Sequence, residues 1–227
     1  MRFFKRITRS LCFLLLLLLT IASPIVTEAA CGVSHGARET KRIALSFDDG
    51  PHPRFTPIIL DLLDRYGIKA TFFMIGRNVE SYPVVAKEVM ARGHEIGNHT
   101  FSHPHMRAVS EKELLWEIEQ TEKILADNGI PRPRLFRPPE GFRSEGQVKK
   151  LADAGYTTVI WSLDTNDWQG RASKEIVSVV LGGVRGGDIL LFHDYTSRKN
   201  TITALEELIP RLIKDGYEFV TVSELLC

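Results

Sequence analysis

From about residue 41 onward, short apolar runs alternate with stretches of helical period. The runs Ile43–Phe47, Ala70–Ile75, His94–Gly97, Leu135–Arg137, Thr157–Leu163, Asp188–Phe192 and Glu218–Val220 are short and mostly apolar at successive positions, the pattern of strands covered on both faces. Helical patterns fill the gaps at Arg54–Tyr66, Pro83–Arg92, Glu111–Asn128, Ser144–Ala154, Lys174–Val184 and Thr201–Asp215. Ser110, Ser144 and Ser173 stand where N-caps belong, and Gly67, Gly93, Gly129, Gly155 and Gly216 where helices stop. Seven strand–helix units imply a mostly parallel α/β sheet, because parallel neighbours need a crossover. The pattern alone leaves two closures open, a barrel and an open doubly wound sheet. In either, residues 41–227 form one domain.

The N-terminus follows another rule. Arg2, Lys5, Arg6 and Arg9 precede an apolar run from Leu11 to Ala22, and small residues follow near Ala29. That order predicts an export signal over 1–29, an extension over 30–40 in which His35 lies in an unstructured tail, and a secreted or envelope-associated product. An uncleaved membrane anchor is the alternative reading, although the apolar run is short for a membrane span.

Charge narrows the partners. The 227-residue chain carries 29 basic and 28 acidic residues; without residues 1–29 the balance is 25 − 27 = −2. A near-neutral surface of mixed sign gives no footing for nucleic acid, and nothing implies a protein partner. Of three cysteines, Cys12 lies in the signal, while Cys31 and Cys227 sit at the two ends of the remaining chain and are candidates for a disulfide in an oxidising compartment.

Chemistry gathers at predicted strand ends, where parallel α/β folds build their active sites. Asp48 and Asp49 close the first strand, and two adjacent carboxylates beside apolar residues repel unless something compensates. His99 and His103, four apart, suit ligands of one ion. Asp49, His99 and His103 then form a three-ligand metal site with open positions, and Asp48 is left as a general base. His105, just past Pro104, reads as a wall residue rather than a fourth ligand.

Arg137 ends another strand and can brace Asp48 through a bidentate contact. His193 ends the apolar strand 188–193, and Asp167 can hold it as an imidazolium acting as general acid. Trp168 and Leu191 would wall a slot the size of a methyl group. A Lewis acid, a base, an acid and a small apolar slot suit attack of water on an acetyl carbonyl, with a backbone N–H near Glu140 assisting the oxyanion.

Five segments carry a resemblance: Ser46-Phe-Asp-Asp-Gly50, His99-Thr-Phe-Ser-His103, Arg137-Pro-Pro-Glu-Gly141, Asp164-Thr-Asn-Asp-Trp168 and Leu191-Phe-His193. In this order, over roughly residues 41–222, they resemble the motifs of the polysaccharide deacetylase family, carbohydrate esterase family four. The resemblance implies a distorted (β/α) barrel of about seven parallel strands and an N-deacetylase that depends on a divalent metal, Zn2+ first and Co2+ second. It also implies an N-acetylated glycan substrate such as peptidoglycan or chitin oligomers, and the roles given above for Asp48, Asp49, His99, His103, Arg137, Asp167 and His193. Where the family most often carries an aromatic residue, this chain has Glu140, which keeps a backbone N–H but not an aromatic groove wall. Rival readings are an O-acetyl xylan esterase and a glycan-binding relative without turnover.

Overall fold

The computed structural model describes residues 32–195 and 199–227. The expected export signal and Cys31 lie outside the described residues. Cys227 is an exposed free thiol, so the disulfide expected between the two gains no support. Among the described residues no helix is long and apolar enough to cross a membrane.

Eight strands form one sheet: β1 (Arg42–Asp48), β2 (Thr71–Met74), β3 (Glu95–Asn98), β4 (Leu135–Phe136), β5 (Thr157–Thr158), β6 (Leu163–Asp164), β7 (Ile189–His193) and β8 (Glu218–Phe219). Their order is β5-β4-β3-β2-β1-β7-β6, with β8 pairing the start of β1, and all these pairings are parallel. β1 is buried at six of its seven positions, hence its unbroken apolar run. Phe47 stacks on Phe72 with ring centroids 4.9 Å apart in the layer between sheet and helices.

The expected strand Thr157–Leu163 is two strands, and the break closes the fold. β5 pairs with β4 at one end of the strand order, and β6 pairs with β7 at the other. Only Val159–Ser162 separates them, so the two edges of the sheet are successive pieces of one segment. A flat sheet cannot satisfy both pairings; the strands must curl into a distorted barrel. The N-terminal stretch straps the seam. Val33 bridges Val159 and His35 bridges Asp188, which places His35 in the structure rather than in a loose tail.

The crossovers are α1 (Phe55–Arg65), α2 (Gly76–Ser81), α3 (Pro83–Ala91), α4 (Glu111–Asp127), α5 (Glu145–Asp153), α6 (Ser173–Gly183), α7 (Lys199–Lys214) and, at the end, α8 (Val222–Leu226). Ser110 and Ser144 form capping boxes with Glu113 and Gln147. Ser173 is already the first residue of α6, and Ala172 occupies the cap. Two helices went unforeseen: α2 is a single short turn-rich element, and α8 follows β8 directly.

Candidate active site

Strand register brings the carboxylates and imidazoles together. β1 and β7 pair so that Asp48 lies opposite His193, and β3 and β4 pair so that Asn98 lies opposite Phe136. The next residues, His99 and Arg137, therefore leave the sheet side by side. Asp49, Thr100 and His103 all take positive φ, at 74°, 69° and 56°. This left-handed backbone is uncommon for non-glycine residues, and two of the three, Asp49 and His103, bring their side chains together with His99.

Asp49 Oδ1 lies 3.5 Å from His99 Nε2 and 3.4 Å from His103 Nε2. That oxygen is buried and has no hydrogen-bond partner. His99 hydrogen-bonds through Nδ1 to the Arg137 carbonyl at 2.7 Å, which leaves its Nε2 lone pair facing Asp49. One donor atom from each of Asp49, His99 and His103 lies within 4.8 Å of the others. Bonds of about 2.1 Å at a tetrahedral angle separate ligand atoms by about 3.4 Å, so the Asp49 contacts have the spacing of a cation's coordination edges. The residues fit a divalent metal.

Burial alone would raise the Asp49 carboxyl, yet His99 beside it and the charges of His193 and His103 hold it down at about 2. Burial opposes a proton on His99, but the charges of Asp48 and Asp49 outweigh it and the pKa rises. His103 moves down through burial and repulsion from His99.

Asp48 faces a different neighbour. Arg137, fully buried, donates through Nη1 to Asp48 Oδ1 at 2.7 Å and to Ser46 Oγ at 2.9 Å, and through Nη2 to the Ile160 carbonyl at 3.0 Å. The contact to Asp48 is single, not the bidentate brace expected. The Arg137 guanidinium also stands 4.0 Å from the centroid of Phe73. Asp48 Oδ2 remains 3.8 Å from His99 Nε2, on the side of the Asp49–His99–His103 cluster.

Across the cleft, Asp167 Oδ1 lies 2.8 Å from His193 Nδ1, while Asp167 Oδ2 accepts from the His193 backbone N–H at 3.0 Å and from Thr201 Oγ1 at 2.8 Å. Burial would lower the His193 pKa, but the Asp167 contact and the charges of Asp48 and Asp49 raise it to about 9. With Nδ1 engaged, Nε2 is the nitrogen left to the cleft.

That cleft has a volume of about 460 Å³, and Asp48, Asp49, His99, His103, Glu140, Trp168, Leu191 and His193 all line it. Arg137 and Asp167 stand directly behind. His105 is outside the metal cluster and pairs through Nδ1 with Glu140 Oε1 at 2.9 Å. Glu140 itself has a φ of 57° in the tight turn Pro139–Gly141.

Three residues, Trp161, Glu117 and Asp194, went unread in the sequence, and a fourth, Asp164, was read only as the first residue of a motif. Trp161 and Asp164 also line the cleft. Glu117, in α4, accepts from the backbone N–H groups of Phe101 and Ser102 and from Ser102 Oγ, holding the loop between the two histidines. Asp194, wholly buried, accepts from Thr56 Oγ1 at 2.5 Å, and burial pushes its carboxyl up to about 7. A period-based reading offers no signal for Glu117, which looks like one more acid on a solvated helix face. Trp161 could have been suspected from an aromatic at a strand break.

Comparison with known proteins agrees with this geometry. The family model described as polysaccharide deacetylase matches residues 35–159. A peptidoglycan-N-acetylglucosamine deacetylase of Bacillus cereus is 44% identical over 189 residues, covering 82% of this chain and 88% of its own. A chitooligosaccharide deacetylase of a Bradyrhizobium species is 36% identical over 200 residues, covering 82% and 91%. Among solved structures, the peptidoglycan N-acetylglucosamine deacetylase Bc1960 superposes with a TM-score of 0.83 at 38% identity, covering 86% of this chain and 92% of that one.

Proposed function

The chain belongs to the polysaccharide deacetylase family, and we propose that it hydrolyses the N-acetyl group of N-acetylglucosamine units in a glycan, peptidoglycan foremost. The observation that carries this reading is the pair of held groups, Asp48 with Arg137 and His193 with Asp167, on either side of the Asp49–His99–His103 cluster.

Those three residues would hold a divalent cation, zinc being the ion suited to one carboxylate and two imidazoles, and when bound it supplies Lewis acidity. Asp48 accepts the proton of the attacking water, held in place by Arg137. The water oxygen bonds to the acetyl carbon, and the backbone N–H of Glu140 donates to the carbonyl oxygen as negative charge gathers there. His193 gives its Nε2 proton to the nitrogen as the C–N bond breaks, and acetate and amine leave. Asp167 fixes the His193 tautomer and keeps it charged beforehand. Leu191 and Trp168 flank the methyl group. An amide needs such an acid more than an ester does, because its amine leaves poorly without a proton.

Incubation of the metal-loaded protein with wall fragments, chitin oligomers and acetylated xylan, read by mass spectrometry, tests the reading. Loss of acetyl from a defined N-acetylglucosamine unit is expected, and chelation should abolish it. Acetate from xylan alone would overturn it in favour of an O-esterase. The 36% identity to a chitooligosaccharide deacetylase favours chitin oligomers as the second substrate class. We place this activity outside the cytoplasm, on the basic and apolar pattern of residues 1–29. Detection of the mature chain in culture medium or envelope fractions tests that assignment.

A further inference from the structure

Glu140 stands on the rim of the cleft, its side chain about half exposed. One carboxylate oxygen meets His105; no other hydrogen bond to the side chain is formed among the described residues. The turn that carries it is stiff. Pro138 and Pro139 precede it, the Gly141 N–H donates to the Pro138 carbonyl at 3.0 Å, and the Phe142 N–H donates to the Pro139 carbonyl at 3.2 Å.

Among the described residues His105 is the one basic group paired with Glu140, and none of them places a lysine or arginine in the lining of the cleft. Arg143 donates to the Gly141 carbonyl at 2.9 Å, and Arg107 stacks 4.3 Å from the Phe142 ring centroid. Asp48 is engaged with Arg137, and Asp49 lies among imidazoles. Glu140 is therefore a fixed negative group at the mouth of a cleft whose reaction converts a neutral acetamide into an amine, which takes up a proton and becomes a cation.

We propose that Glu140 is a specificity-determining residue that favours glycans already carrying a primary ammonium on a sugar next to the one being deacetylated. The inference rests on the deacetylase reading and deepens it. A glucosamine left by one turnover would then promote the next turnover at its neighbour, whereas a carboxylate at that position would be repelled.

Chitotetraose and its defined mono-deacetylated isomers, given to metal-loaded wild type and to Glu140→Gln, provide the test. For wild type at low salt, kcat/KM should favour the isomer with the amine beside the reacting sugar by roughly two- to fivefold, the range of an exposed ion pair. The preference should vanish near ~1 M salt, where screening acts within about 3 Å. In Glu140→Gln the ratio between the two substrates should fall to unity, whatever the absolute rates. A wild-type ratio of one, or a ratio that survives the substitution, overturns the proposal. Calorimetry with the fully deacetylated tetramer needs no turnover: wild type should bind it roughly two- to fivefold more tightly than Glu140→Gln, and equal affinity overturns the proposal as well. If that binding difference holds while no oligomer releases acetate, the deacetylase reading fails and the ammonium preference stands.

Discussion

The two flanks of the cleft solve opposite problems with the same kind of contact. On the β1 flank, Asp48 is pressed against a fully buried arginine, and Arg137 is itself fixed by Ser46, Ile160 and the Phe73 ring. On the β7 flank, a buried carboxylate, Asp167, grips a more exposed imidazole and drives its pKa up to about 9. In the proposed reaction one flank orients an acceptor for a proton, and the other keeps a donor charged. A held carboxylate and a charged imidazole, facing each other across a cluster fit for a cation, suit acid–base hydrolysis. The flanks also differ in what loss of a partner does. Loss of the partner beneath Asp48 strands a buried charge, while loss of the partner beneath His193 leaves a mostly buried imidazole whose proton burial disfavours.

The most severe way to break this contrast is Asp48→Asn. It should lower kcat by about 10³–10⁴-fold, the upper range for a positioned general base, while bound metal measured by atomic absorption stays unchanged. Retained activity would remove Asp48 from its proposed role. On the other flank, Asp167→Asn should cost about a hundredfold in kcat and move the basic limb of the pH–rate profile. The sign follows from the raised pKa. His193 is in its acid form below about 9 and loses it as pH rises, so without the Asp167 charge the limb moves down toward about 6.5. The same pairing contributes stability that is present in full below about 6.5 and fades as pH rises through about 9. A profile of the variant with an unmoved basic limb would separate Asp167 from His193.

How much of this was legible in the chain depends on whether the signal was local. β1 and β7 read clearly because strands buried on both faces leave unbroken apolar runs. Asp48, Asp49, His99, Arg137 and His193 were legible because each ends such a run, and in a parallel sheet those ends share one rim. Closure was not legible. The run from Thr157 to Leu163 looks like one strand, and only its pairing with β4 at one end and β7 at the other reveals the seam of a barrel. β4, β5 and β6, with two residues each, are too short for alternation to mark their limits. Glu117 stayed hidden for a different reason: its partners are the backbone groups of a loop fifteen residues away, which no helical period encodes.

Glu117 sharpens the contrast at the next level down, since it serves the loop of the two proposed histidine ligands rather than either flank. It holds Phe101 and Ser102 between His99 and His103, where Thr100 and His103 occupy left-handed backbone. Glu117→Ala should weaken metal binding by about 10- to 100-fold, as loss of an outer-shell partner does, and titration with a competing chelator reads this directly. Glu117→Gln, which keeps the shape and one acceptor oxygen, should recover part of the affinity. Equal affinity in wild type and Glu117→Ala would show that the loop needs no such anchor.

The smallest effect concerns Asp194, next to His193 in sequence but paired with no cation among the described residues. Its Oδ1 has no partner, Oδ2 accepts from Thr56, and burial raises the carboxyl to about 7. A carboxyl raised in the folded state binds more protons there than in the unfolded chain. Folding stability should therefore fall as pH climbs from about 4 to about 7 and level off above. Asp194→Asn removes that charge while keeping the shape, so above pH 7 it should stabilise the protein by about 1 kcal/mol and flatten this slope. Chemical denaturation at several pH values would measure both changes. A cation in the Asp49 cluster offsets part of the repulsion felt by Asp194, so the gain should be larger after chelation than in the metal-loaded protein. An equal gain with and without metal would mean that Asp194 is not coupled to the cluster and acts only on the packing of Thr56 against β7.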